Sequence, residues 1–200
     1  MDQIGRKVGE LRDAYETLRA DRTPIDVFTF LEIDLGLDPI PFDELARKYR
    51  VEAAIKADFT GIYLDAEQYA LMERGPEWKL NRLRFTVAHE LAHYFLHRDL
   101  AQPENFRTLH DFAVWTDDND GRKYQIEQEA NEFAGLLLVP TERLSECYDE
   151  FAKEAERLLP NFTVNEALRD QFAEKIAPRF GVNAQVIAVR LDRDSIWPAR

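Results

Sequence analysis

A mainly helical α+β domain with a small antiparallel sheet is the fold class that this sequence predicts. The prediction rests on long segments with apolar residues at helical spacing, on one stretch of short alternating segments, and on the glycines and prolines between them. With 200 residues, the chain has the length of one ordinary domain. Its 45% hydrophobic and 32% charged residues are typical of a globular protein and not of a disordered one.

The first part of the chain is expected to be helical. Residues 1–20 carry apolar side chains at helical spacing. Thr23 resembles a helix cap and Pro24 a first-turn proline, which predicts a second helix that ends at Gly36. A third helix is expected to begin near Pro41.

Short, partly alternating segments follow and predict the sheet. Gly61 lies among them, and Gly75-Pro76 ends the stretch. Two or three antiparallel strands are expected in the segments Val51–Ala57, Phe59–Leu64 and Gln68–Glu73.

The second half of the chain returns to the helical period. A long connection, residues 98–124, separates the two helices that carry the candidate site. Pro140 is expected to end the second of these helices, because proline lacks a backbone donor and clashes with the preceding turn. Helices are expected for Trp78–His97, Tyr124–Val139, 141–159 and 163–180, and Val182–Leu191 is compatible with either a helix or a strand.

Composition and charge narrow the class of partner and the compartment. The net charge of −12 opposes binding to nucleic acid, which favours a protein, peptide or small-molecule partner. No apolar run approaches the roughly 20 residues that would span a membrane. The first residues lack the apolar segment of a signal peptide, and the single Cys147 suits a reducing compartment. We therefore expect a cytoplasmic protein.

An H-E-x-x-H pattern, formed by His89, Glu90 and His93, stands inside the predicted helix Trp78–His97. Helical positions four apart lie about 40° apart around the axis, so both imidazoles can reach one ion at about 2.0–2.1 Å. Glu90 projects beside that ion, where it can take a proton from a metal-bound water and deliver it to a leaving amine. The pattern therefore predicts one catalytic zinc ion and peptide-bond hydrolysis.

A catalytic zinc needs a third protein ligand and one open position. Glu127 and Asn131 share a stripe of the second helix with two alanines, which would let that helix approach another closely. Glu127 would then reach the ion, and Asn131 could bond the far nitrogen of a ligating histidine and fix its tautomer. Glu129 points about 200° away from Glu127, so only one of the two can serve, and Glu127 is favoured.

Other polar residues near the pattern have alternative interpretations. Asp99 is a further ligand candidate, but Leu96 stands where the chain would need a turn-permitting glycine. His97 and His110 could stabilise an oxyanion near the metal, although a polar helix end is the simpler explanation for His97. Tyr94 is expected in the core or beside the ligands.

A polar loop before the second helix partly matches a calcium-binding EF-hand loop. Asp118, Asp120, Gly121 and Glu127 occupy matching positions, but Thr116 lacks the first carboxylate. A solvated loop is the favoured interpretation, because calcium binding would take Glu127 away from zinc.

Two segments together resemble the ImmA/IrrE family of zinc metallopeptidases. One runs from Arg84 to His97 around the H-E-x-x-H pattern. The other runs from Glu127 to Pro140 and reads E-x-E-A-N-x-F-A-x-x-L-L-x-P. The resemblance covers about residues 40–145. It divides the chain into an N-terminal helical segment (1–40), a peptidase core (41–145) and a C-terminal helical extension packed on the core (146–200).

The resemblance implies a zincin-like domain in which His89, His93 and Glu127 hold zinc and Glu90 acts as the base. It also implies a protein substrate, namely a transcriptional repressor that controls phage, mobile-element, toxin–antitoxin or stress-response genes. The alternative is a zinc-binding antirepressor or antitoxin that sequesters its partner without proteolysis. A purely structural zinc site is disfavoured, because such sites usually have four protein ligands, often cysteines, and Cys147 stands alone.

Overall fold

The computed structural model describes residues 3–72, 74–98, 121–158 and 166–197, which form helices and one three-stranded sheet. The helices are α1 (Gln3–Ala14), α2 (Val27–Thr29), α3 (Leu45–Tyr49), α4 (Ala66–Ala70), α5 (Glu77–Leu96), α6 (Gly121–Leu138), α7 (Thr141–Leu158), α8 (Glu166–Phe180) and α9 (Ala184–Arg193). The strands are β1 (Asp38–Phe42), β2 (Ala53–Ile55) and β3 (Gly61–Asp65). The mainly helical α+β class is confirmed, and none of the described helices could cross a membrane.

The sheet is mixed, which corrects the expectation of a purely antiparallel one. Its strand order is β1-β3-β2, with β2 antiparallel to β3 and β1 parallel to β3. A parallel pair needs a crossover connection, and α3 together with β2 provides it between β1 and β3. The prediction missed this crossover because it placed no strand before Val51 and expected a helix from Pro41, inside the segment that forms β1.

Two local assignments also differ from the expectation. Asp38–Phe42 forms the edge strand β1, so the third helix begins at Leu45 and not near Pro41. An edge strand tolerates proline, because one side of its backbone needs no partner. The segment Gln68–Glu73, expected as a strand, begins inside helix α4, whose N-terminus is capped by the Asp65 carboxylate.

The second helix begins later than expected. Asp26, and not Thr23, caps it by accepting a hydrogen bond from the backbone of Thr29 at 3.1 Å, so Pro24 lies before the helix, and the π-helical turn Phe30–Asp34 extends α2. Val182–Leu191, which the sequence left open, lies largely in helix α9.

Helices α5 and α6 pack against each other, and the site lies between them. Phe95 of α5 stacks on Phe133 of α6 with 6.0 Å between ring centroids. Small buried side chains on both helices, among them Ala88 and Ala130, allow close approach of the two backbones. Strand β2 packs on α5 from the sheet side. The core therefore surrounds the two helices that carry the H-E-x-x-H pattern and its candidate third ligand.

Candidate metal centre

Three side chains from α5 and α6 converge on one point. The Nε2 atoms of His89 and His93 lie 3.2 Å apart. From α6, Glu127 places Oε2 at 3.1 Å from Nε2 of His89 and Oε1 at 3.8 Å from Nε2 of His93. Within the part of the chain that the structure describes, these residues form the one group of three or more ligand-type side chains that could hold a metal ion.

The spacing of these atoms fits a zinc ion. Tetrahedral geometry with bonds of about 2.0–2.1 Å separates ligand atoms by about 3.3 Å. The distances of 3.1, 3.2 and 3.8 Å between the converging atoms of His89, His93 and Glu127 lie close to this value. Two imidazoles with one carboxylate are also a donor set known from catalytic zinc sites, which keep a fourth position open.

Each histidine directs its other ring nitrogen to a polar partner. Nδ1 of His89 lies 3.1 Å from the Oδ1 atom of Asn131, one helical turn after Glu127 on α6. Nδ1 of His93 lies 2.9 Å from Nδ1 of His97. Such partners fix the tautomer and the ring orientation of a metal-binding histidine.

Glu129 lies beside His97 and outside the group of converging atoms. Its Oε2 atom is 3.1 Å from Nε2 of His97, and its Oε1 atom accepts a hydrogen bond from Gln125 at 2.8 Å. Both ring nitrogens of His97 therefore have partners, which disfavours the interpretation of this residue as an oxyanion stabiliser. The arrangement brings Glu127, and not Glu129, to the two histidines of the H-E-x-x-H pattern.

Glu90 is buried next to the converging side chains, with an exposed fraction of 6%. Its Oε2 atom accepts a hydrogen bond from the backbone N–H of Ile55 in strand β2 at 2.8 Å. Burial raises the pKa of Glu90, while the charge of His89 and the Ile55 hydrogen bond oppose this shift. A carboxyl group with a raised pKa exchanges protons more readily near neutral pH, as a general base must.

The two histidines of the pattern have shifted pKa values in opposite directions. Burial lowers the pKa of His93 to about 3, and the neighbouring His89 acts in the same direction. Burial also acts to lower the pKa of His89, but the hydrogen bond with Glu127 and the charge of Glu90 outweigh it and raise this pKa. At neutral pH, His93 is therefore uncharged and offers the lone pair that a metal needs.

Tyr94 contributes to an aromatic cluster with Phe59 and Phe95. Its ring packs edge-on against Phe95 at 4.9 Å between centroids and lies 6.2 Å from Phe59. The guanidinium of Arg98 stands over both Phe59 and Tyr94, at 5.3 and 5.5 Å from the ring centroids. This environment places the ring of Tyr94 in the packing around the site.

Several sequence candidates lie outside the described residues. They are Asp99, His110 and the first positions of the calcium-type loop, Thr116, Asp118 and Asp120.

Two contacts of the site were not predicted from the sequence, namely the hydrogen bond from the backbone N–H of Ile55 to Glu90 and the pairing of Glu129 with His97. A backbone N–H has no signature in the sequence, whereas the spacing of Glu129 from Glu127 already showed that the two point apart.

A mainly helical α+β fold with this donor set beside a buried carboxyl group defines a protein of the metallopeptidase class. Residues 79–192, more than half of the chain, match the model of a peptidase family, Peptidase M78, described as the IrrE N-terminal-like domain. The chain belongs to this family, which confirms the ImmA/IrrE resemblance. The match runs through α7 and α8 into α9, beyond the two motifs. No curated protein and no solved structure matches the chain significantly.

Proposed function

We propose that this protein is a zinc-dependent endopeptidase that cuts a specific protein substrate, a transcriptional repressor, in the cytoplasm. The observation that carries the proposal is the convergence of His89, His93 and Glu127 beside the buried Glu90. Membership of a peptidase family supports protease chemistry. The repressor as substrate class comes from the ImmA/IrrE resemblance, and the net charge of −12 supports a partner that is not nucleic acid.

In this proposal, the three converging side chains hold one zinc ion and Glu90 moves the protons. Zinc at such a site polarises a substrate carbonyl and lowers the pKa of a bound water to about 7. Glu90 accepts the proton of the attacking water and then delivers it to the nitrogen of the departing amine. The Ile55 N–H holds the Glu90 carboxylate in place at 2.8 Å, which keeps the base oriented before the substrate arrives.

Metal content tests the site directly. Wild type and the variants His93→Ala and Glu127→Ala are purified without chelators and measured by plasma mass spectrometry. We expect about one zinc per wild-type chain and a strong loss in both variants, because each removes one of three ligands. A wild-type protein that stays empty after zinc reconstitution would overturn the proposal.

Cleavage is tested on the proteome of the organism that encodes the chain. The zinc-loaded protein and its Glu90→Gln variant are incubated with a cell extract, and new protein N-termini are identified by mass spectrometry. We expect a few new N-termini that require Glu90, with a repressor among the cut proteins. Rapid digestion of unfolded casein would contradict the narrow substrate range.

The same variant separates the protease from the sequestering antirepressor or antitoxin. A protein that acts by sequestration keeps its biological effect after Glu90→Gln, whereas a protease loses it. Zinc binding without any Glu90-dependent cut would favour the sequestering alternative.

A further inference from the structure

A chain of hydrogen bonds runs from α6 to the back of His93. Gln125 and His97 both bond the Glu129 carboxylate, at 2.8 and 3.1 Å. On the other side of the His97 ring, Nδ1 lies 2.9 Å from Nδ1 of His93. His97 is 5% exposed, so water has little access to replace these partners.

The chemistry of the groups dictates the direction of this chain. A carboxylate can only accept, so the Nε2 atom of His97 must carry the proton that it shares with Glu129. Nδ1 of neutral His97 is then an acceptor, which requires the proton between the two rings to belong to Nδ1 of His93. His93 consequently leaves Nε2 unprotonated, and Nε2 is the atom that faces His89 and Glu127.

The opposite direction would close the site to metal. If His97 carried its proton on Nδ1, it would donate to Nδ1 of His93, and the His93 proton would move to Nε2. A protonated Nε2 cannot ligate a metal. The Glu129 carboxylate opposes this arrangement, because one of its oxygens takes the single proton of a neutral His97 at Nε2, while the other accepts a hydrogen bond from Gln125.

We propose that Glu129 and His97 are positioning residues that hold His93 in the tautomer competent to bind metal. The inference rests on the proposed zinc site and extends it to residues that do not contact the ion. It also gives Glu129 a role that differs from the ligand role considered for it in the sequence. Partners that orient a metal-binding histidine typically contribute 10–100-fold to metal affinity.

Zinc affinity is measured at neutral pH by competition with a chromophoric chelator. Glu129→Gln offers an amide that can donate to His97 and reverse the chain, and His97→Phe removes the acceptor for His93. We expect both variants to bind zinc roughly 10–100-fold more weakly than wild type. The control is Glu154→Gln, which makes the same change at an exposed position of α7 and should leave the affinity unchanged.

His97→Asp separates positioning from packing. The aspartate oxygen stands close to the place of Nδ1 and is an obligatory acceptor, so affinity should recover towards the wild-type value although the ring is lost. Adding Glu129→Gln to His97→Asp should then cause no further loss of zinc affinity. Thermal melting of the metal-free proteins shows whether each variant is folded. If folded His97→Asp binds as weakly as His97→Phe, or Glu129→Gln binds like wild type, the inference is wrong.

Nitrogen-15 NMR of the metal-free protein reads the tautomer itself. Wild-type His93 should carry its proton on Nδ1, and Glu129→Gln should shift the population towards the Nε2-protonated form. An Nε2-protonated wild-type His93 would overturn the inference. Failure of wild type to bind zinc would overturn the proposed function instead, and the NMR result would still decide the direction of the chain.

Discussion

The Nδ1 atom of His89 lies 3.1 Å from the side-chain oxygen of Asn131, across the interface between α5 and α6. Oε2 of Glu127, one turn before Asn131, lies 3.1 Å from Nε2 of the same imidazole. Helix α6 thus contacts both nitrogens of one ring, with a candidate metal ligand on one side and an acceptor on the other. This relationship shows how the packing of two helices can orient a ligand.

Asn131→Ala should weaken zinc binding by about tenfold or more, because His89 loses the acceptor that holds its proton on Nδ1. Asn131→Asp keeps an acceptor at this position and should retain the affinity. Competition titration with a chelator measures both constants. Equal affinities for wild type and Asn131→Ala would show that the contact with His89 has no part in metal binding.

Glu90→Gln should stabilise the metal-free protein at neutral pH. Burial raises the pKa of Glu90, so the protonated form is favoured in the folded state. This preference contributes fully to the free energy of unfolding below the ordinary carboxyl pKa. The contribution is lost as the pH rises through the raised pKa that Glu90 has in the folded state. Glutamine avoids this loss, so the variant should be more stable than wild type at pH 7 and should differ little from it at acidic pH.

Urea unfolding with a chelator present, repeated across the acidic to neutral range, checks this dependence. Glu154→Gln at the exposed position on α7 serves as the control and should show no gain that grows with pH. A Glu90→Gln variant that is less stable than wild type at pH 7 would contradict the argument from burial.

Arg190→Met should destabilise the fold by about 3 kcal/mol, because it removes the buried cation between the largely buried carboxylates of Glu132 and Asp194, although Arg193 still pairs with Glu132. The Arg190 side chain is 2% exposed and pairs with Glu132 of α6 at 3.1 Å and with Asp194 at 2.5 Å. Denaturant unfolding measures the loss. Arg169→Met, which removes surface pairs with Asp192 and Asp170, is the matched control and should have a small effect.

Gly181→Ala should cost about 1 kcal/mol or more of stability. Gly181 follows α8 with a φ of +61°, and an added Cβ would stand 3.0 Å from Cβ of Pro24 and still closer to the guanidinium of Arg84. Gly9→Ala is the contrasting variant, since Gly9 lies inside α1 and an added Cβ would meet no atom of a neighbouring element within 4 Å. The Gly9→Ala variant should gain about 0.5–1 kcal/mol in free energy of unfolding, because alanine favours the helix interior over glycine. Thermal unfolding of both variants tests the contrast, which a similar melting temperature would refute.

The sequence by itself determined the features that depend on one helix. His89 and His93 face the same way because helical geometry places positions four apart on one side, whatever packs against them. The apolar spacing in α5 and α6 and the proline after α6 likewise act locally, so these helices were predicted closely. The family motifs also lie on these helices, which explains why the family was recognisable from residues alone.

Tertiary structure decided the features that depend on how separate elements meet. Asp38–Phe42 is a strand because β3 pairs with it, and its two prolines hid this from a local analysis. The choice between Glu127 and Glu129 depends on the rotation of α6 against α5, and the contact of Ile55 with Glu90 depends on where β2 crosses α5. The rotation of α6 and the position of β2 on α5 arise from the packing of the whole core. The spacing of residues within one helix or strand therefore does not predict which residues of another element they contact.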